Sequence, residues 1–148
     1  MVTQKYLDEL SYEIIGCAIE VHKELGPGLL ESVYQKCFVY ELLSRGLNCL
    51  QQLVVPIQYK NLQLDVDLRL DVLVEDLIIL ELKATDALHP IFHAQVLTYM
   101  KLLQKPKGIL INFNCANILK KGKKHWITNS MLPYQNNNSM FLCAYVVN

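Results

Sequence analysis

The 148-residue chain lacks several features that would assign it to a common class of protein. It has no run of about 18 apolar residues, so it offers no candidate transmembrane helix. Its first residues lead into an amphipathic segment with acids instead of a signal peptide, so we expect a cytoplasmic protein. A Walker-type glycine loop is also absent, which argues against an activity driven by nucleotide hydrolysis.

Cysteine is sparse and scattered. The five cysteines are an odd number and include no C-x-x-C pair, so we expect small core residues instead of disulfides or a cysteine-bound metal. They are Cys17, Cys37, Cys49, Cys115 and Cys143.

Acidic residues are missing from the second part of the chain. Residues 1–86 hold all fourteen acids and seven of the Lys and Arg, whereas residues 87–148 hold the other seven basic residues. These are Lys101, Lys105, Lys107, Lys120, Lys121, Lys123 and Lys124. Such an asymmetry favours a polyanionic partner and salt-dependent phosphate binding. For the cluster at 120–124, a solvated turn that keeps the protein soluble is an equally good interpretation.

Composition and periodicity predict one compact α/β domain. The chain is 52% hydrophobic and 19% charged, which is enough apolar mass for a single core. Apolar positions recur every three to four residues in two N-terminal helices separated by Gly26, Pro27 and Gly28. The helices are predicted at 7–25, 29–45 and 91–103, and the strands at 50–59, 64–74, 77–83 and 108–114. A strand that follows a crossover helix is expected to be parallel to an earlier one, which makes the sheet mixed.

Two carboxylates and an amine interrupt the apolar strands of a predicted hairpin. Glu81 and Lys83 share one face of a strand, about 6–7 Å apart. If the hairpin loop holds residues 75–77, Val74 pairs with Ile78 and Asp71 lies opposite Glu81, with Cβ atoms roughly 5 Å apart. Facing carboxylates repel unless a proton or a divalent cation lies between them, so this pattern indicates a site for magnesium or manganese.

The same residues admit a simpler interpretation. Glu81 and Lys83 could form the solvated face of an edge strand, while Asp71 bonds a nearby backbone group. A two-residue turn would place the two acids on opposite faces of the sheet.

Residues 128–148 are predicted to form a polar linker and a short apolar C-terminal extension. The apolar run at 140–147 is too short to cross a membrane. Either it is a frayed terminus, or it adds a strand to a sheet edge of its own chain or of a partner's. Homo-oligomerisation is therefore left open.

The order of motifs along the chain resembles that in the GxxExxY proteins of the PD-(D/E)XK nuclease superfamily. Gly28, Glu31 and Tyr34 have the G-x-x-E-x-x-Y spacing. Further matching segments are residues 21–27, 69–74, 81–84, 94–99 and 108–114. The resemblance as a whole extends over roughly three-quarters of the chain. The resemblance implies a restriction-endonuclease-like fold, with a mixed β-sheet flanked by helices in the order α-α-β-β-β-α-β over residues 1–127.

The resemblance also implies hydrolysis of a phosphodiester in DNA with Mg²⁺ or Mn²⁺, by an enzyme that could be exonuclease-like. Asp71, Glu81 and the backbone carbonyl of Leu82 correspond to the metal ligands, with Glu31 as a further acid. Lys83 corresponds to the lysine that holds the attacking water and stabilises the charge of the transition state.

Further residues belong to the same motifs with less defined roles. Gln95 and Tyr99 match a Q-x-x-x-Y helix motif that supports the active site or contacts substrate, although a packed helix face is the usual interpretation of such a pair. His22 and Tyr34 are expected to support the site, although core packing or a surface bond is the commoner role for a lone histidine on a helix.

One departure from the pattern keeps a second hypothesis open. Relatives commonly have His-Glu before Ala-Gln, whereas this chain has Phe92 and His93 there. A nucleic-acid-binding or scaffold module without turnover is therefore the alternative to a nuclease. Hydrolysis of a smaller phosphoester is a third hypothesis.

Overall fold

The structure is a computed structural model that describes the backbone of residues 1–127 and the side chains of residues 1–123. The first helix, α1, spans Gln4–Leu25, and the hydroxyl of Thr3 caps it by accepting a hydrogen bond from the backbone N–H of Tyr6. It ends at Gly26, whose φ of +66° is a left-handed conformation that favours glycine. The second helix, α2, spans Glu31–Ser44. Both predicted helices are therefore confirmed, with α2 beginning two residues later than expected.

Seven strands and a third helix follow within the part of the chain that the structure describes. They are β1 Cys49–Val54, β2 Ile57–Tyr59, β3 Leu62–Leu64, β4 Arg69–Val74, β5 Ile78–Lys83, α3 Pro90–Leu103, β6 Lys107–Asn112 and β7 Lys123–Ile127, with a short π-helical turn at Ile118–Gly122. The main sheet has the order β1-β4-β5-β6-β7, while β2 and β3 form a separate hairpin. Among the strands of residues 1–127, only the β5–β6 pair of the main sheet is parallel. The predicted mixed sheet flanked by helices is confirmed.

The strand boundaries differ from the prediction in two ways. Each of the first two predicted strands divides into two shorter ones, because Pro56 cannot donate to a ladder and the charged segment at 65–68 leaves the sheet. The predicted strand at 64–74 therefore does not include residues 65–68. The last strand, β7, was not expected, since Lys123 and its neighbours lack the apolar alternation of a strand.

Apolar residues cover both faces of the sheet. Val72, Leu80 and Leu82 pack with α1 and α2, while Leu73 and Ile79 on the other face pack with α3. Side chains alternate between the faces along a strand. On β5, Glu81 and Lys83 alternate with Leu80 and Leu82 and therefore share the face of Ile79. In residues 1–127 no helix is both long enough and apolar enough to cross a membrane.

Candidate active site

The β4–β5 hairpin places Asp71 opposite Glu81. Val74 pairs with Ile78, as a three-residue loop requires, and the pairing continues to Val72 and Leu80. One residue further along this register, Asp71 faces Glu81. The two-residue turn, with the acids on opposite faces, is excluded.

At Asp71 and Glu81, hydrogen bonds from backbone N–H groups to the side-chain carboxylates take the place of the backbone-to-backbone bonds of the ladder. The N–H of Leu82 donates to Asp71 Oδ2 at 2.8 Å. The N–H of Asp71 donates to Glu81 Oε1 at 3.2 Å. Each carboxylate thus satisfies a backbone donor of the neighbouring strand, which holds both side chains in the plane between β4 and β5.

The charge of Asp71 acts on both Glu81 and Glu31. Glu81 is only 2% exposed, and burial, followed by the charge of Asp71, raises its pKa to about 8. Burial raises the pKa of Glu31 as well; Asp71 adds to that rise and Lys83 opposes it. The N-terminus of α2 therefore brings Glu31 within electrostatic reach of the β4–β5 pair.

Lys83 ends β5 on the same face as Glu81. Its ammonium lies 4.6 Å from the centre of the Phe92 ring, a cation–π contact with the first turn of α3. Its backbone carbonyl accepts a hydrogen bond of 2.9 Å from the N–H of Phe113. Lys83 is half-buried, and its charge opposes the rise in pKa that burial causes at Glu31 and Glu81.

Gln95 and Tyr99 lie on α3 and face the start of β4. The Gln95 amide donates to the Tyr99 hydroxyl at 2.9 Å, and that hydroxyl donates to the carbonyl of Arg69 at 3.3 Å. Burial raises the pKa of Tyr99, and the charges of Glu81 and Asp71 add to the rise. The helix motif therefore borders the carboxylates and anchors α3 to β4.

Tyr34 and His22 make contacts within the scaffold. The hydroxyl of Tyr34 donates to the carbonyl of Gly26 at 2.5 Å and accepts from the N–H of Leu29 at 3.1 Å, which closes the turn between α1 and α2. Its ring stacks on Phe113. His22 Nε2 lies 2.7 Å from the carbonyl of Cys115, so this nitrogen is the donor. These bonds position the loop that precedes Glu31 and the segment after β6.

The donor set of the site is chemically suited to a hard divalent cation. Facing carboxylates with a third one nearby leave excess negative charge that Mg²⁺ or Mn²⁺ would offset. Among the side chains that the structure describes, however, no three His, Cys, Asp or Glu residues are gathered closely enough to hold a metal ion. The oxygens of Asp71 and Glu81 bond to backbone N–H groups instead, at the distances given above.

The lysines expected to bind phosphate separate into two groups. Lys105 pairs with Asp76 at 2.7 Å, and Lys107, which is buried, pairs with Asp8 at 3.1 Å. Both lie at the amino end of β6, and since β5 and β6 are parallel, this is the end opposite to Lys83. The expectation that Lys107 offers a free charge to phosphate is wrong, because an acid and the protein interior surround it.

Lys101 belongs to the same distant group, since it lies in the last turn of α3. By contrast, Lys120 and Lys121 are exposed in the π-helical turn that follows the carboxyl end of β6. Lys123 begins β7, and burial lowers its pKa. The side chain of Lys124 lies outside the described residues.

Sequence reasoning missed two glutamines next to Asp71. Gln52 Nε2 lies 3.4 Å from Asp71 Oδ1, and Gln35 Nε2 lies 3.5 Å from the Asp71 carbonyl. Gln35 follows Glu31 by one helical turn, and this spacing was the one available signal. The position of Gln52 depends on the pairing of β1 with β4, which no local pattern reveals.

Comparison with known proteins agrees with this architecture. A family model described as the PD-(D/E)XK nuclease superfamily matches residues 8–125 of the chain. The chain therefore belongs to the PD-(D/E)XK nuclease superfamily. No curated protein and no solved structure matches it.

Proposed function

We propose that this protein is a GxxExxY-type nuclease that hydrolyses phosphodiester bonds of DNA with Mg²⁺ or Mn²⁺. The observation that carries the proposal is the position of Asp71 opposite Glu81, with Lys83 on the same face of β5. Membership of a nuclease superfamily supports the reaction class.

Each polar group of the site has a role in this proposal. Asp71, Glu81, Glu31 and the carbonyl of Leu82 would hold the ion. When bound, the ion supplies a Lewis acid that polarises phosphoryl oxygen and makes bound water more acidic. Lys83, held beside Phe92, orients the attacking water and stabilises negative charge on the phosphate in the transition state. Gln95 and Tyr99 support the site from α3 and contact the substrate strand.

Cleavage of DNA in the presence of Mg²⁺ or Mn²⁺ tests the proposal. We expect Asp71→Asn and Lys83→Ala to lower the cleavage rate by about 100-fold or more, because the first removes a charge that would hold the ion and the second removes a charge that acts at the reacting phosphate. Matched controls are Asp76→Asn in the hairpin loop and Lys101→Ala on α3, at the opposite end of the strands. These controls should keep the wild-type rate.

The design of the assay separates several substrates. Linear duplex, single-stranded and circular DNA distinguish cutting at ends from internal cutting, and single-stranded RNA tests the choice of DNA. If Asp71→Asn and Lys83→Ala retain full activity while folding normally, these residues do not form the catalytic site.

A nucleic-acid-binding module without turnover is the second candidate. It is supported by Phe92 and His93 at positions where relatives carry His-Glu, and by the exposed Lys120 and Lys121. Salt-sensitive binding without cleavage under Mg²⁺ or Mn²⁺ would favour it, whereas efficient cleavage would exclude it. A cytoplasmic location and homo-oligomerisation stay predictions from the sequence.

A further inference from the structure

Gln35 and Gln52 form a chain of amides beside Asp71. Gln52 Nε2 donates to Gln35 Oε1 at 2.9 Å, which is a well-formed hydrogen bond. The same nitrogen has a second hydrogen directed to Asp71 Oδ1 at 3.4 Å. Gln35 Nε2 approaches the Asp71 carbonyl at 3.5 Å. Asp71 is thus approached by amides at its side chain and at its backbone.

Gln52 departs from the strand that carries it. In the β1–β4 ladder, Gln51 pairs with Val72 and Leu53 pairs with Leu70, but the intervening pair of Gln52 with Asp71 is missing. Gln52 has a φ of +49°, a left-handed conformation that a non-glycine residue adopts at a cost in free energy. This conformation lets the Gln52 side chain lie between β4 and α2 instead of extending the ladder.

The amide chain joins two elements that carry candidate metal ligands. Glu31 and Gln35 are separated by four residues, so they lie on one face of α2. A backbone ladder fixes the distance from β4 to β5, but it cannot fix the distance from β4 to a helix. The charge of Asp71 acts unfavourably on that of Glu31, so a link between α2 and β4 opposes their separation.

We propose that Gln35 and Gln52 are positioning residues that set the separation of Glu31 from Asp71 and thereby raise the affinity of the site for a divalent cation. This inference rests on the proposed function, because it concerns the same ion. Neither glutamine contacts the reacting phosphate in this scheme. Their effect is exerted through the two carboxylates.

Direct binding of Mn²⁺ tests the inference. The free-ion signal in electron paramagnetic resonance measures the Mn²⁺ dissociation constant of wild type and of Gln52→Gly. Glycine accepts the left-handed backbone and removes the whole Gln52 side chain, including the amide. We therefore expect Gln52→Gly to bind Mn²⁺ about tenfold more weakly, while its melting temperature in EDTA is equal to or above that of wild type.

Two further variants complete the design. Gln51→Ala removes the exposed neighbouring glutamine of β1 and should leave the Mn²⁺ affinity unchanged. Gln35→Ala should weaken Mn²⁺ binding as Gln52→Gly does, and the double variant should be no weaker than the single ones, because both substitutions break the same link.

The outcomes separate this inference from the proposed function. If wild type and Gln52→Gly bind Mn²⁺ equally, the positioning role is wrong and the nuclease proposal stands. If the affinity falls only together with the melting temperature in EDTA, the glutamines merely stabilise the fold and the inference is also wrong. If wild type binds no Mn²⁺, both proposals fail.

Discussion

At the scale of single residues, burial changes the acid–base behaviour of groups with different roles. Glu81 lies in the candidate site, and its pKa of about 8 results from burial and from the charge of Asp71. Cys17 lies on α1 in the hydrophobic core and has no part in the proposed chemistry. Burial raises the pKa of its thiol from 9.0 to about 11. Cys17 therefore offers a test of burial that is independent of the site.

We expect Cys17 to make the protein less stable as pH rises from about 9 to about 11. In this range the unfolded chain loses the thiol proton while the folded protein keeps it, so the free energy of unfolding decreases. Each pKa unit corresponds to about 1.4 kcal/mol, so the loss is at most about 3 kcal/mol. Below pH 9 both states keep the proton and this contribution is constant.

Urea unfolding of wild type and Cys17→Ala across this pH range measures the contribution. The alanine variant loses some packing at every pH, but its stability should decrease less between pH 9 and pH 11. Parallel curves for the two proteins would show that the Cys17 thiol does not resist ionisation. The four described cysteines are free thiols, and Cys143 lies outside the described residues.

At the scale of elements, the contact of α3 with β6 determines where Gln95 and Tyr99 lie. Gly108 in β6 faces this helix so closely that an added Cβ would lie 2.5 Å from Val96 Cγ1 and 2.8 Å from the sulfur of Met100. Absence of a side chain at Gly108 therefore lets α3 pack directly on the sheet.

Gly108→Ala should destabilise the protein by about 1–3 kcal/mol through overpacking. Because α3 must move away from β6, we also expect this variant to weaken the Tyr99 contact with β4 and to slow DNA cleavage. Denaturant unfolding and the cleavage assay measure the two effects.

Gly16→Ala is the matched control for this substitution. The added Cβ meets only the end of the Arg45 side chain, which can move. Alanine also favours the helical backbone by about 0.5–1 kcal/mol, so this variant should be as stable as wild type or more stable. Equal stability of Gly108→Ala and Gly16→Ala would contradict the close packing of α3.

At the scale of the whole molecule, the fold separates the basic residues that follow residue 86 into two groups at opposite ends of the sheet. Lys105 and Lys107 come to lie at the amino end of β6, paired with Asp76 and Asp8. Lys120 and Lys121 follow its carboxyl end, which is level with Lys83 in the parallel β5–β6 register. Of these two groups, only Lys120 and Lys121 lie at the end of the strands that carries Lys83, where a phosphodiester would lie in the proposed function.

The double variant Lys120→Ala with Lys121→Ala should bind DNA more weakly and with less dependence on salt. The slope of log K against log[salt] should fall by about 0.9 for each lysine that contacts a duplex phosphate. Fluorescence anisotropy with labelled DNA between 50 and 200 mM salt, about the range where such slopes are large, measures the change.

The control for this prediction is Lys101→Ala with Lys105→Ala, which removes the same charge from the opposite end of the sheet. It should leave the slope nearly unchanged. An equal decrease in the two double variants would mean that net charge, and not position, governs binding.

Local patterns in the sequence were sufficient to predict much of this protein. Helical periodicity located α1 and α2. For the hairpin the sequence left a three-residue and a two-residue turn open, and the structure has the three-residue loop at 75–77 that places Asp71 opposite Glu81. The motifs around Glu31 and Lys83 indicated the superfamily that the family model then showed.

Only the tertiary structure decided which distant residues meet. Lys107 pairs with Asp8, which lies at the other end of the described chain. The bridge from Gln35 through Gln52 to Asp71 likewise joins three separate elements, α2, β1 and β4. Periodicity describes the faces of one element, but it contains no information on how the elements are arranged relative to one another. That arrangement determines which charges remain free for a substrate and which are neutralised within the protein.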